Sequence, residues 1–334
     1  MSTILTRRSA LGLLLALAVW LLALGSAPVM AQAAPVAAQV ERQQTQPLNN
    51  APVWREVRSG EEHFTTVRGP ETGVLIQTEG QTWRQWRNGP ISFYGGILLL
   101  LVPSAIALFF LVKGAIKLHE VPTGRTMQRF STFERIVHWG TAITFVVLGI
   151  TGIMILFGKH IIEPVFGNAA LGGLLWAGKN VHNYLGPVFL LFTVLMILAY
   201  ARDNIWHPTD SVWIRKAGGL ASGEHVPSGR FNFGEKTWFW IGVTFLGLIV
   251  AGSGLVMDFP NFGQTRATMQ LANIVHGISA ILLIALSLGH IYMGTIGVEG
   301  AYQSMKTGYV DETWAREHHR FWYDEVKAGR SGRP

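Results

Sequence analysis

The chain contains no cysteine. That absence excludes disulfides, thiolate-held iron–sulfur clusters and covalent cofactor attachment through Cys-x-x-Cys-His. Any redox group here must be held by histidine or methionine, or without covalent bonds. Charge is scarce as well: 14% of the 334 residues are charged against 49% hydrophobic, a balance too apolar in its runs for an ordinary soluble domain. The net charge of +7 lies between the apolar runs, with no basic stripe interleaved with base-stacking aromatics, so nucleic acid is not an expected partner. No internal repeat is evident. What is there is a polytopic, all-α membrane protein.

Arg7 and Arg8 precede an apolar core from Leu11 to about Leu24, and Ala31-Gln32-Ala33 forms a small-residue cleavage site. Residues 1–33 therefore read as a signal peptide, Sec-type in preference to twin-arginine, with a mature chain from about Ala34. Residues 34–91 are a polar periplasmic extension with little core of its own, suited to lying on a partner or on the membrane face. Five spans follow, at about Phe93 to Val112, Ile136 to Phe157, Val181 to Ala201, Thr237 to Met257 and Ala272 to Ile296. Pro103 and Pro187 should kink or loosen two of them.

Loop charge sets the orientation. Lys113, Lys117, Arg125, Arg129 and Arg135 separate the first two spans, Arg202, Arg215, Lys216, Arg230 and Lys236 the third and fourth, and Lys306, Arg316, Arg320 and Lys327 follow the fifth. The opposite connections carry only Lys159, Lys179 and Arg266, so the richer sides are cytoplasmic. Arg84 and Arg87 dissent, but the signal should override them. The expected location is the bacterial inner membrane, with the extension periplasmic and the C-terminus cytoplasmic. Tryptophans such as Trp83, Trp176, Trp206 and Trp238 fall near span ends, as interfacial anchoring requires.

Four histidines, His138, His182, His276 and His290, lie inside apolar spans, where an ionisable group is costly and points to function. His276 and His290 share the last span fourteen residues apart. That is about 21 Å of rise and within about 40° of whole turns, so the rings leave one face near opposite membrane surfaces. The topology then pairs His138 with His290 at the cytoplasmic level and His182 with His276 at the periplasmic level. Two pairs at two depths are what two bis-histidine b haems require. Zinc fits less well, because no carboxylate or thiol joins either pair.

Gly140, Gly186, Gly277, Gly289 and Gly294 would let a flat macrocycle approach the backbone, while Gly149-Ile-Thr-Gly152 and Gly252-Ser-Gly254 read as helix-packing devices. His63, His119, His160, His207, His225, His318 and His319 read as solvated. Arg135, Lys179, Arg202 and Arg266 stand at span ends where propionates would emerge, or where interfacial charge ordinarily lies. A haem-free transporter or anchor with proton-relaying histidines is the alternative from another class.

The segments Phe133-Glu-Arg-Ile-Val-His138, Val181-His182-Asn-Tyr-Leu-Gly186-Pro187, Arg230-Phe-Asn232-Phe-Gly234-Glu235-Lys236, Ile274-Val-His276-Gly and Gly289-His290-Ile-Tyr-Met293 together carry a family likeness. With the tail Trp314-Ala-Arg-Glu-His318-His319-Arg-Phe-Trp-Tyr323, they resemble the gamma subunit of membrane-bound formate dehydrogenase, its cytochrome b subunit, over about Arg129 to Val326. The signal, extension and first span are similar to the longer proteobacterial form.

The resemblance implies a four-helix transmembrane cytochrome b bundle plus one additional N-terminal transmembrane helix. It divides the chain into an additional helix with cytoplasmic linker at 92–128, a di-haem domain at 129–300 and a cytoplasmic tail at 301–334. It implies that His182 and His276 hold the periplasmic haem iron and His138 and His290 the cytoplasmic one. A quinone is implied near the cytoplasmic haem, beside Asn232, Gly234, Glu235 and Lys236. The short form has Gln where this chain has Glu235, and a carboxylate there can relay a proton. Without a quinone, Asn232 reads simply as a helix cap. The implied partners are a catalytic alpha subunit with molybdenum or tungsten, where formate is oxidised, and an iron–sulfur beta subunit that feeds this chain. Related cytochrome b subunits serve nickel–iron hydrogenase and thiosulfate reductase, which keeps a different electron donor as an alternative.

Overall fold

The computed structural model describes residues 54–55, 58–59, 78–219 and 222–330. The signal peptide and most of the extension, His63 included, lie outside the described residues. Helix α1 (Thr78–Trp86) passes through a π-helical turn, Arg87–Ile91, into α2 (Ser92–Lys113). Three further long helices follow: α3 (Thr132–Ile161), α4 (Glu163–Tyr200) and, after short α5 (Asp210–Arg215), the run formed by α6 (Phe233–Thr237), π-helical Trp238–Leu246 and α7 (Gly247–Asp258). Helix α8 (Arg266–Tyr292) ends in a π turn, Met293–Gly297. Five of these runs are long and apolar enough to cross a membrane. Leu101, Ile143, Ile150, Leu198 and Phe245 are exposed along them, the surface that lipid would cover.

The third run is longer than the sequence suggests. It is helical from Glu163, where the composition places a connection, and Lys159 and Lys179 both lie within helices. Pro164 sits at the helix start, where its missing N–H costs nothing, and Gly167 at φ 78° absorbs the only non-helical step. Helices α2 and α4 run through Pro103 and Pro187 without interruption. The loosened turns fall elsewhere, and one of them contains Pro90.

Two capping boxes start the second and fourth spans. The Ser131 hydroxyl accepts the Glu134 N–H while the Glu134 carboxylate accepts the Ser131 N–H, and Asn232 and Glu235 repeat the exchange. Within the spans, Thr141, Thr144, Thr151, Ser279 and Ser287 donate to carbonyls one turn back, so none presents a bare hydroxyl donor to lipid.

Among the described residues, two compact units are distinguished, one holding 78–94 with 259–274 and the other 95–219 and 222–258 with 275–330. In the first, Trp83 Nε1 donates to Asn273 Oδ1 at 3.1 Å and so ties α1 to the start of α8. In the second, Phe189, Leu246, Ala251 and Leu283 form a core between helices, and Phe130, Val137, Met196, Tyr200, Phe231 and Phe239 form another at one end.

The chain is mostly but not wholly helical. Strand β1 (Thr126–Gln128) pairs antiparallel with β2 (Tyr309–Asp311), Met127 opposite Val310. Between β1 and β2 in sequence come the four spans and α9 (Ala301–Thr307); after β2 come α10 (Glu312–His318) and α11 (Arg320–Lys327). Gly308 before β2 has φ 90°, and a Cβ there would meet the Phe130 carbonyl at 2.7 Å. Met127, Val310, Trp314, Ala315 and Trp322 give linker and tail a shared core.

Candidate functional site

The four intramembrane histidines meet as two pairs. The His138 and His290 ring centres lie 6.3 Å apart, and those of His182 and His276 lie 6.0 Å apart. Helix α8 is unbroken from His276 to His290, so the pairs sit about 21 Å apart along it. Two imidazoles that share one ion, each nitrogen about 2 Å from it, have ring centres roughly 6 Å apart. Both pairs have that spacing.

The second pair is oriented by its neighbours. His182 Nδ1 lies 2.8 Å from Thr151 Oγ1, whose own proton goes to the Val147 carbonyl at 2.8 Å, so the ring donates and the hydroxyl accepts. His276 Nδ1 donates to the Val250 carbonyl at 2.9 Å. With Nδ1 carrying the proton in both rings, Nε2 is left with a free lone pair, the tautomer a metal needs. Glycine gives both rings room. A Cβ on Gly152 would stand 3.5 Å from His182 Cε1, and one on Gly254 would stand 3.3 Å from His276 Cε1.

The first pair is held differently. Trp238, the first residue of the π-helical stretch, stacks on His290 with centres 4.8 Å apart at 14°. Trp139 lies edge-on to His138, 5.3 Å away, and His138 Nδ1 is buried without a hydrogen-bond partner. Both pairs fit bis-histidine haems in donor type and spacing, and the second pair fits in tautomer as well.

Several expected neighbours have other work. Gly140 makes room for the Phe192 ring, whereas the open glycines are Gly289 and Gly294. Gly152 and Gly254, which the sequence suggests as packing glycines, are the ones beside imidazoles. Gly152 lies fourteen residues beyond His138, the spacing from His276 to His290, so one face of α3 also meets both levels. Arg135 donates to the carbonyls of Met305 and Lys306.

At the His138–His290 end the loop residues form a buried polar network. Asn232 caps α6, Lys236 is buried against Asp210 at 2.8 Å, and Gly234 lies against Trp213. Glu235 accepts from the Asn232 N–H with one oxygen and from Arg129 Nη2 with the other, at 2.9 and 3.0 Å. Arg129 and Arg230 each donate to the other's carbonyl, and Arg230 also pairs with Glu134 and Asp203. Both guanidiniums lie over Phe130 and Phe231.

The tail histidines are not solvated as the sequence suggests. His319 is 1% exposed, donates from Nδ1 to the Gly229 carbonyl at 2.8 Å, and has Nε2 3.9 Å from Glu235. The carbonyl can only accept, so Nδ1 carries the proton. Burial, reinforced by the Arg129 charge, holds its pKa well below the usual imidazole value, and burial pushes that of His318 down to about 3. His225 is also lowered by burial. The expectation failed because these residues sit in a sequence rich in charge, and their cover comes from Arg129 and the loop before α6, far away along the chain. His207 and His160 are exposed as expected.

A family model described as prokaryotic cytochrome b561 matches residues 129–308, more than half of the chain. The chain belongs to that family. Within it, the formate dehydrogenase cytochrome b556(fdo) subunit of Escherichia coli K12 is 30% identical over 206 residues, covering 60% of this chain and 94% of that relative. The nitrate-inducible cytochrome b556(Fdn) subunit of the same organism is 26% identical over 205 residues, 60% of this chain and 91% of the relative. The formate dehydrogenase cytochrome b556 subunit of Haemophilus influenzae is 26% identical over 211 residues, covering 62% and 86%. This cytochrome b thus stands among the cytochrome b subunits of formate dehydrogenase, and its matched region contains all four paired histidines.

Proposed function

We propose that this chain is the membrane-anchoring electron-transfer subunit of a respiratory formate dehydrogenase, a four-helix di-haem bundle with one additional N-terminal helix. The observation that carries the reading is the pair of imidazole pairs, 6.0 and 6.3 Å between ring centres, on two levels of one bundle. His182 and His276 would hold one haem b iron on the periplasmic side, and His138 and His290 another on the cytoplasmic side. Haem b, when bound, supplies one-electron transfer across the bilayer, from an iron–sulfur beta subunit outside toward a quinone near the cytoplasm. Formate is oxidised on the partner alpha subunit, since this chain has no cysteine.

The chain's own residues would do the following. Thr151 and the Val250 carbonyl fix the tautomer and rotation of two ligand rings. Trp238 fixes the plane of a third. Spans of mostly apolar side chains keep water from the ring pairs. The proposed quinone vicinity is the surface beside Asn232, Gly234, Glu235 and Lys236, where Glu235 is about one-third exposed while its partner Arg129 is buried. Glu235 holds or passes a proton there, with neutral His319 behind it.

The test is the haem content of the purified chain with reduced-minus-oxidised spectra. Two b haems per chain are expected, and His182→Ala or His276→Ala should remove one while the bands of the other persist. A colourless protein, or one haem per chain, would overturn the assignment. Copurification of a molybdenum or tungsten protein is expected, whereas a nickel protein would point to a hydrogenase.

A further inference from the structure

Beyond the paired histidines, a second set of ligand-type side chains converges at the His138–His290 end. His119 comes from the strap after α2, His225 from the loop before α6, and Glu317 from α10. One ligand atom from each lies within 4.8 Å of the others. The His119 and His225 rings stack with centres 4.3 Å apart at 6°, so exposed His119 would turn out of the stack to share an ion, and His225 Nδ1 is 2.9 Å from Glu317 Oε2.

The carboxylate is fixed before any ion arrives. It accepts the backbone N–H groups of His119, at 3.0 and 3.2 Å, and of Glu120, at 2.9 Å. The imidazole is only half satisfied: His225 Nδ1 faces the Glu317 carboxylate, while its Nε2 is buried without a hydrogen-bond partner. Beside it lies a third ring, that of His318, 4.4 Å from His225 centre to centre, and its Nε2 is also buried and without a partner. Buried ring nitrogens without partners are costly, and an ion bound beside them would relieve that cost.

We propose that His119, His225 and Glu317 bind one divalent transition cation of the zinc type. The donor set suits it. Imidazole nitrogen with carboxylate oxygen is a zinc ligand combination, and a hard cation such as magnesium or calcium would want oxygen instead. The Glu317 carboxylate would keep its backbone N–H donors as outer support while it turned one lone pair to the ion. The ion would staple three segments distant in sequence: the strap that leaves α2, the loop that enters α6 and the helix that follows β2. Its role is structural, to clamp that end of the bundle. It is independent of the haem ligands, none of which belongs to the set.

The full-length protein, purified in detergent with a tag free of histidine, is stripped with a chelator and dialysed against buffered Zn2+, and zinc is measured by elemental analysis. One zinc per chain is expected. Exposed His119 is the safest probe: His119→Gln should weaken retention at least tenfold, and Glu317→Gln should do the same, with haem content and elution volume unchanged. Wild-type protein that retains no more zinc than His119→Gln and Glu317→Gln overturns the proposal. Zinc and iron are counted separately, so loss of either reading leaves the other standing.

Discussion

At the scale of single residues, the partners of the imidazoles distinguish one level from the other. Thr151→Val keeps the shape but removes the hydroxyl that accepts from His182 Nδ1, leaving the Leu148 carbonyl as its remaining acceptor. Haem should still bind, about 10–100-fold more weakly, as loss of such outer partners usually does. Redox titration of the purified chain should show one potential moved and one unchanged. Gly254 is the steric counterpart, since a Cβ already stands 3.3 Å from the His276 ring. Gly254→Leu should displace that ring and cost the haem proposed for His182 and His276, read as half the haem content, while Gly252→Leu, in open space, should not. The paired histidines were legible because an ionisable group in an apolar span stands out. Thr151, Val250, Gly152 and Gly254 were not, because small residues and carbonyls are ordinary in helices until a ring is brought against them. Even so, the spacing of fourteen residues from His138 to Gly152 is present in the sequence.

At the scale of elements, the ribbon and its flanking helices carry the surprises. Asp311 caps α10 by accepting the Thr313 N–H at 2.8 Å, and it also takes the N–H groups of Thr123 and Gly124. Burial works against its charge, but these donors outweigh it and hold its pKa below the usual carboxylate value. The folded state therefore binds the proton less readily than the unfolded one. The Asp311 contribution is present above the ordinary carboxylate range and lost as pH falls through it. Asp311→Ala should destabilise the tail by about 1 kcal/mol. Asp311→Asn should keep much of the cap and lose the acid sensitivity, both read as protease resistance of the tail against pH. The capping boxes at Ser131 and Asn232 follow from their sequence, with a glutamate three residues on. The pairing of β1 with β2 does not, because three residues on each strand show no alternation long enough to read.

At the scale of the whole molecule, five spans were legible from apolar length, but the helix extending α4 back to Glu163 was not. Pro164 and Gly167 mark its start and read as a connection, yet the helix takes both of them up. The buried Arg129 and Arg230 were likewise read as topological charge, which their sequence position alone suggests. Their network frames the proposed quinone side, and Glu235 tests it. Glu235→Gln keeps a side chain able to accept the Asn232 N–H but removes the charge beside Arg129. Quinone reduction should slow tenfold or more while both haems remain reducible by formate; loss of the haem spectrum would instead make Glu235 structural. One helix, unbroken from His276 to His290, brings a further consequence. Adding a single alanine midway would swing the far imidazole by about 100°, out of register with its mate on α3. Adding seven would turn it by only about 20° yet push the two levels about 10 Å further apart. The gauge of the crossing is therefore written as a residue count, and insertion mutants can lengthen it in steps.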